Sequence, residues 1–309
     1  MDAGGATRPA GTGADAADND AHSGAVSPSG SAGAAARDGA AGVGDGLTGD
    51  AGPRHQSDAS ESGGADIPTA DSGRGSPTPG DAGAVRSGGP WKVMMLGDSI
   101  TGSTCYPQLV SKGLIAQGHT NFQFVGTQKS QQSCSATQVL TEGHGGYGVT
   151  YLPKDNARTK CAKSACGTYA ELQAWAAEKP EIVLMHYGTN DVWDGQSTAS
   201  ILEAYASVIA EFRKQQPNVT FFVSKISKLN PSGCQSCVAG ASALAAALDE
   251  TWASNHSLPN SPVSVIDSFG SAFDPNNAAD TADGVHPTQA GAQKIATVAV
   301  AAVIAENYF

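Results

Sequence analysis

From Trp91 to the C-terminus, short apolar runs alternate with longer stretches whose apolar residues recur every three or four positions. The runs at 91–96, 122–125, 181–187, 219–226 and 263–267 have the length and content of buried strands. Between them lie helical periods. The clearest covers 198–215, where Ile201, Leu202, Tyr205, Val208, Ile209 and Phe212 fall on one face and Pro217 follows as a stop. Further helical stretches are expected at 106–117, 168–178, 238–254 and 288–306. A strand that is apolar throughout is buried on both faces, which a sheet achieves when crossover helices cover both sides. The expectation is therefore an α/β domain with a central five-stranded parallel sheet between two helical layers. Its ligand site should lie beyond the carboxyl ends of the strands.

Residues 1–90 cannot join such a domain. They are Ala, Gly, Asp, Ser, Thr and Pro with few aliphatics, and contain no Phe, Tyr, Trp, Cys or Lys. Ordering a chain costs ~1–2 kcal/mol per residue, and this stretch has too little apolar surface to offset it. Its twelve acidic residues and five Arg carry −7 of the chain's net charge of −11. A disordered, solvated tether is expected, joined to a folded domain at 91–309. That domain has no run approaching the ~18 apolar residues of a membrane span and no Lys/Arg cluster, so neither membrane insertion nor nucleic-acid binding is expected.

All six cysteines lie in the folded part, at 105, 134, 161, 166, 234 and 237. An even count suits an oxidising compartment. Local pairing 105–134, 161–166 and 234–237 is the simplest of the 15 connectivities that six cysteines allow. A redox pair at 234–237 and a zinc site are the alternatives weighed. The N-terminus has no apolar signal-type segment, so export implies a signal removed ahead of this chain. A secreted or surface-tethered protein is expected. A lipoprotein-like tether would suit the composition, although no anchoring cysteine is present.

Four motifs fall where such a sheet would deliver them to one rim: Gly97-Asp98-Ser99-Ile100-Thr101, Gly145-Gly146, Gly188-Thr189-Asn190-Asp191 and Asp283-Gly284-Val285-His286-Pro287. Ser99 follows the first strand and is the candidate nucleophile. A hydroxyl needs a base to take its proton. His286 is the candidate base, and Asp283 the carboxylate that orients its ring, with Asp280 the nearest competitor. The oxyanion of an acyl-transfer intermediate needs donors. The Ser99 N–H, the Gly146 N–H and the Asn190 amide are the candidates, with Gly143, Gly145 and Gly148 as neighbours of Gly146. Tyr147 and Trp193 are candidate substrate-binding residues, for sugar stacking or an acyl pocket, with ordinary packing the alternative. His186 reads as a hydrogen-bonded core histidine. His144 reads as a residue near the site with no carboxylate behind it. No cofactor or metal is called for.

These blocks, together with Phe124-Val125-Gly126-Thr127-Gln128 and Glu142-Gly143-His144-Gly145-Gly146-Tyr147, resemble the SGNH (GDSL-like) hydrolase superfamily across 91–309. They are closest to carbohydrate esterase family three, the secreted acetylxylan-esterase type. The resemblance implies a flavodoxin-like α/β/α sandwich and metal-free removal of O-acetyl groups from plant cell-wall polysaccharide or oligosaccharide. It departs at Tyr106-Pro107-Gln108, where relatives often carry an Arg behind an aromatic. Two other readings stay open. One is a short-acyl lipase or lysophospholipase of the same superfamily. The other is a catalytically silent carbohydrate-binding surface module.

Overall fold

A computed structural model describes residues 90–155 and 166–306. The expected tether, up to residue 89, and Cys161 of the expected 161–166 pair lie outside the described residues.

The chain opens with β1 (Trp91–Gly97), α1 (Ser99–Ser103) and α2 (Tyr106–Ala116), then β2 (Phe122–Val125), β3 (Gln128–Lys129) and β4 (Leu140–Gly143). A 3-10 turn at Val149–Tyr151 leads to α3 (Tyr169–Ala177), β5 (Ile182–His186), α4 (Thr189–Trp193) and α5 (Thr198–Gln215). The remainder is β6 (Thr220–Ser224), α6 (Gln235–Ala247), α7 (Glu250–His256), β7 (Val263–Ile266) and α8 (Gln289–Ala305). All five expected strands form. The single helix expected at 238–254 is two, because Leu248 leaves the helical region and Asp249 caps a new start, accepting from the Trp252 N–H at 2.8 Å.

The sheet has seven strands, not five. β1 pairs in parallel with β5 along one edge. Along the other it pairs with β2 over Trp91–Met94 and then with β4 over Leu96–Gly97. β5, β6 and β7 follow in parallel, and β3 is antiparallel to β4. The two strands absent from the expectation lack an apolar signature. β3 is two exposed polar residues, and the one large apolar side chain of β4, Leu140, faces solvent.

Apolar side chains are buried on both faces of the sheet. On β1, Met94 and Leu96 enter one core while Val93 and Met95 enter the other; Val183 and Met185 alternate with Ile182 and Leu184 on β5. One layer contains α3, α5 and α6, the other α2 and α8. α5 starts at its Ser197 cap and turns Ile201, Tyr205, Val208, Ile209 and Phe212 inward. Each fully buried apolar side chain of this kind contributes roughly 1.5–3 kcal/mol. Truncating Phe212 to Ala would cost about 3–5 kcal/mol.

The chain leaves β1 toward β2 and β4 on one side and returns to β5 on the other. The order therefore reverses at β1, and a crevice opens beyond the carboxyl ends of β1 and β5. No helix among the described residues is long and apolar enough to cross a membrane.

Candidate active site

Ser99 is the first residue of α1, two residues beyond the end of β1. Asp98 caps that helix, with Oδ1 accepting from the Ile100 N–H at 2.9 Å. Burial pushes the Asp98 carboxyl up, opposed chiefly by His186. The helix seats directly on β4. A Cβ added to Gly143 would lie 2.3 Å from the Gly102 backbone nitrogen, so only glycine permits this approach.

Ser99 Oγ lies 2.8 Å from His286 Nε2, and His286 Nδ1 lies 2.7 Å from Asp283 Oδ2. The loop before α8 builds this arrangement on one carboxylate. Asp283 Oδ1 accepts from the N–H groups of Val285 and His286 at 2.9 and 2.8 Å, and from the Thr281 hydroxyl at 3.0 Å. Burial alone would raise the Asp283 carboxyl. The His286 ring and the two backbone donors outweigh it and hold the group well below the usual carboxylate range. Asp280 does not compete for the ring: both its oxygens bind Lys294 Nζ, at 2.7 and 2.8 Å.

Asn190 sits in the first turn of α4, and its Nδ2 donates to the Tyr147 carbonyl at 3.0 Å. Asp191, fully buried, accepts from the N–H groups of Val149 and Thr150 at 2.9 Å each and from the Thr150 hydroxyl. Burial pushes its carboxyl up against these hydrogen bonds. Residues 190 and 191 thus tie the carboxyl end of β5 to the segment after β4. That segment turns tightly, with the Tyr147 N–H donating to the His144 carbonyl at 3.2 Å and Gly146 at φ +85°. Gly145 faces the serine: a Cβ there would stand 3.9 Å from Ser99 Cβ.

A cavity of about 310 Å³ opens over the serine. Ser99, Asn190, Trp193, Asp283 and His286 line it, with a wall from Pro231 to Gly233. Gly233 lies against the Trp193 ring, and the Cys234–Cys237 disulfide follows at the start of α6. The second expected bridge, Cys105–Cys134, is also formed. Of the predicted site residues, Gly146 and Tyr147 are not among the cavity's lining. The Tyr147 hydroxyl donates to Glu171 Oε1 at 2.8 Å, and its ring stacks on His144.

Two histidine readings are corrected. His186 is buried, but neither ring nitrogen bonds another described protein group. Burial pushes its imidazole down, and its ring instead tilts against Tyr106 at 6.0 Å. His144 does have a carboxylate behind it, with Glu142 Oε2 at 2.8 Å from Nε2. The two are spaced i, i+2, which places both on one face of an extended chain. The signal was in the sequence, but Leu140–Gly143 had to be read as a strand to reveal it.

At the first-block departure, Tyr106, Pro107 and Gln108 are all buried at the start of α2, and Gln108 Nε2 donates to the Gln131 carbonyl.

The model of the GDSL-like Lipase/Acylhydrolase family matches residues 95–294. A carbohydrate esterase family 3 structure from Talaromyces cellulolyticus is 30% identical, with a TM-score of 0.57, covering 70% of this chain and 98% of that one. A serine-to-alanine mutant of an acetyl esterase, solved with an acetate ion, matches with the same identity, TM-score and coverage. A Clostridium thermocellum family 3 carbohydrate esterase shares the fold at 21% identity and a TM-score of 0.55, covering 71% and 97%. No curated protein matches by sequence. The chain belongs to the GDSL-like lipase/acylhydrolase family, and its fold is that of the SGNH hydrolases.

Proposed function

We propose that this GDSL-like hydrolase is a serine esterase that removes O-acetyl groups from polysaccharide or oligosaccharide of the acetylxylan kind. One observation carries the reading: an unbroken line from Ser99 Oγ through the His286 ring to Asp283, with steps of 2.8 and 2.7 Å, at the floor of a cavity.

In the proposed mechanism His286 Nε2 takes the Ser99 proton as Oγ attacks the acetyl carbonyl. Asp283, held ionised, faces Nδ1 and stabilises the imidazolium as it forms. The tetrahedral oxyanion receives hydrogen bonds from the Ser99 N–H, the Gly146 N–H and Asn190 Nδ2, each worth roughly 3–4 kcal/mol of barrier. His286 then protonates the departing sugar oxygen, leaving acetyl on Ser99. Water, deprotonated by His286, attacks that ester. Acetate leaves and Ser99 regains its proton.

The substrate assignment rests on the cavity and the relatives. Trp193 and the Pro231–Gly233 wall bound the space beside Ser99, which suits a short acyl group with an adjoining sugar face. Two solved relatives are a carbohydrate esterase and an acetyl esterase mutant solved with an acetate ion. The two disulfides among the described residues favour action outside the reducing cytosol. A secreted or surface-tethered location is proposed on that ground and on the composition of residues 1–90.

The test is a panel of p-nitrophenyl acetate, butyrate and octanoate beside acetylated xylan, with Ser99→Ala as the blank. Acetate release from xylan and acetyl preferred to octanoyl are expected. A preference for octanoate would move the assignment to a lipase. No turnover of any ester would favour a silent binding module.

A further inference from the structure

We infer that Glu142 and His144 are positioning residues for the oxyanion turn, acting on the reaction through the backbone of Gly145–Gly146. The inference rests on the oxyanion role proposed above for Gly146.

Glu142 is a fully buried carboxylate that the proposed mechanism does not use. Such a group is costly unless its oxygens are satisfied. Here they are: Oε1 accepts from the Thr127 N–H at 2.6 Å, and Oε2 lies 3.0 Å from the Thr127 hydroxyl and 2.8 Å from His144 Nε2. The carboxylate therefore links the chain after β2 to the residue that opens the turn.

His144 is the first residue of that turn and Tyr147 the last. Their main chains meet in the Tyr147 N–H to His144 carbonyl bond. Their side chains meet as well. The two rings stack at 4.8 Å and 20°, and His144 stacks also on Trp175 at 4.9 Å and 21°. The two outer ends of the stacked pair are each held by a carboxylate. Glu142 takes the His144 ring, and Glu171 accepts from the Tyr147 hydroxyl at 2.8 Å. Only 14% of the His144 side chain is exposed.

The clamped turn is also tied to both halves of the site. The His144 N–H donates to the Gly97 carbonyl at 2.9 Å, two residues before Ser99. The Tyr147 carbonyl accepts from Asn190 Nδ2. Two glycines in a row form a pliable hinge, since each is free to leave its conformation. The stacked pair removes that freedom by fixing the residues on either side. A donor that is already aimed costs no reorganisation when charge develops on the substrate oxygen. Loosening the clamp should therefore slow the chemical step and leave substrate binding in the Trp193 cavity unchanged.

The experiment measures kcat and KM for p-nitrophenyl acetate in His144→Ala, His144→Phe, Glu142→Ala and Glu142→Gln. Each rate is expressed per active site titrated with a fluorophosphonate, so that unfolded protein does not count. His144→Ala and Glu142→Ala are expected to lower kcat roughly 10–100-fold with KM changed less than about twofold. Glu142→Gln keeps an acceptor oxygen and should recover most of that loss. His144→Phe keeps the ring stack but loses the Glu142 bond, and should fall between His144→Ala and wild type. If the alanine variants do not fold, His144→Phe and Glu142→Gln carry the test by the same ordering. The inference is overturned if kcat per titrated site is unchanged, if the loss appears in KM alone, or if Glu142→Gln is as slow as Glu142→Ala. Ser99→Ala, measured alongside, separates the two readings. Full activity in Ser99→Ala overturns the serine mechanism itself. An inactive Ser99→Ala with normal kcat in His144→Ala overturns only the positioning role.

Discussion

Gly143→Ala adds one methyl group outside the substrate cavity, and it should nearly silence the enzyme. The new Cβ would lie 2.3 Å from Gly102 N, 2.5 Å from Gly102 Cα and 2.6 Å from Thr101 C, against the 3.4 Å at which ordinary contact begins. All three are backbone atoms of α1, so no side chain can swing away. The helix must retreat by about 1 Å, and Ser99 is its first residue. A displacement of ~1 Å at a reacting group costs on the order of 100-fold in rate. The overpacking itself should cost ~1–3 kcal/mol of stability. The assay pairs kcat on p-nitrophenyl acetate with a thermal melt, and Gly118→Ala serves as the comparison. Gly118 has φ +89° but nothing within 4 Å of an added Cβ, so that variant should lose some stability and no activity. A folded Gly143→Ala with more than about half the wild-type kcat would refute the idea that this glycine pair sets the height of the nucleophile.

Four further outcomes are expected. Asp191→Ala removes the acceptor of three hydrogen bonds at a fully buried position, and should lower stability by roughly 2–4 kcal/mol in denaturant titration; a loss under 0.5 kcal/mol would show that Val149 and Thr150 find other partners. Asp283 is depressed in the folded state, so its stabilising contribution is present above the ordinary carboxylate pKa and lost as pH falls through the lowered folded value. Melting temperature should accordingly fall more steeply below about pH 4 in wild type than in Asp283→Asn. Because the same carboxylate stays ionised far into acid, log kcat/KM should fall with a slope of one on the acid side, and a slope of two above pH 4 would reveal a second essential proton. Breaking Cys105–Cys134, whose residues are 29 apart, should cost about 3–4 kcal/mol by loop entropy without changing kcat at low temperature.

What could be read in advance follows a physical division. The five strands read in advance are short, mostly apolar runs, and α5 is one-sided over five turns; both signals come from burial and are local in sequence. The placement of Ser99, Asn190, Asp283 and His286 was legible because each stands near a strand end or a helix start, where backbone geometry limits what a side chain can reach. β4 was not legible because its stability is held elsewhere. Its buried residues are Thr141, Glu142 and Gly143, and its partners are β1, β3 and the backbone of α1. With β4 unread, the i, i+2 relation of Glu142 and His144 stayed hidden. The cavity wall at 231–233 comes from a loop with no periodicity, brought to the site by the tertiary fold alone. Tyr147 reads both ways in the sequence, as substrate contact or as ordinary packing. In the structure its ring stacks on His144 and tilts against Trp175, and its hydroxyl donates to Glu171.

In the proposed mechanism Ser99 carries the acyl group. The most direct test is acid quenching of the enzyme during turnover of acetyl ester, followed by peptide mass spectrometry. A single acetyl adduct on Ser99 is expected, absent in Ser99→Ala, which should turn over at least ~10⁴-fold more slowly. An adduct on another residue, or Ser99→Ala retaining more than about a tenth of wild-type activity, would contradict that mechanism.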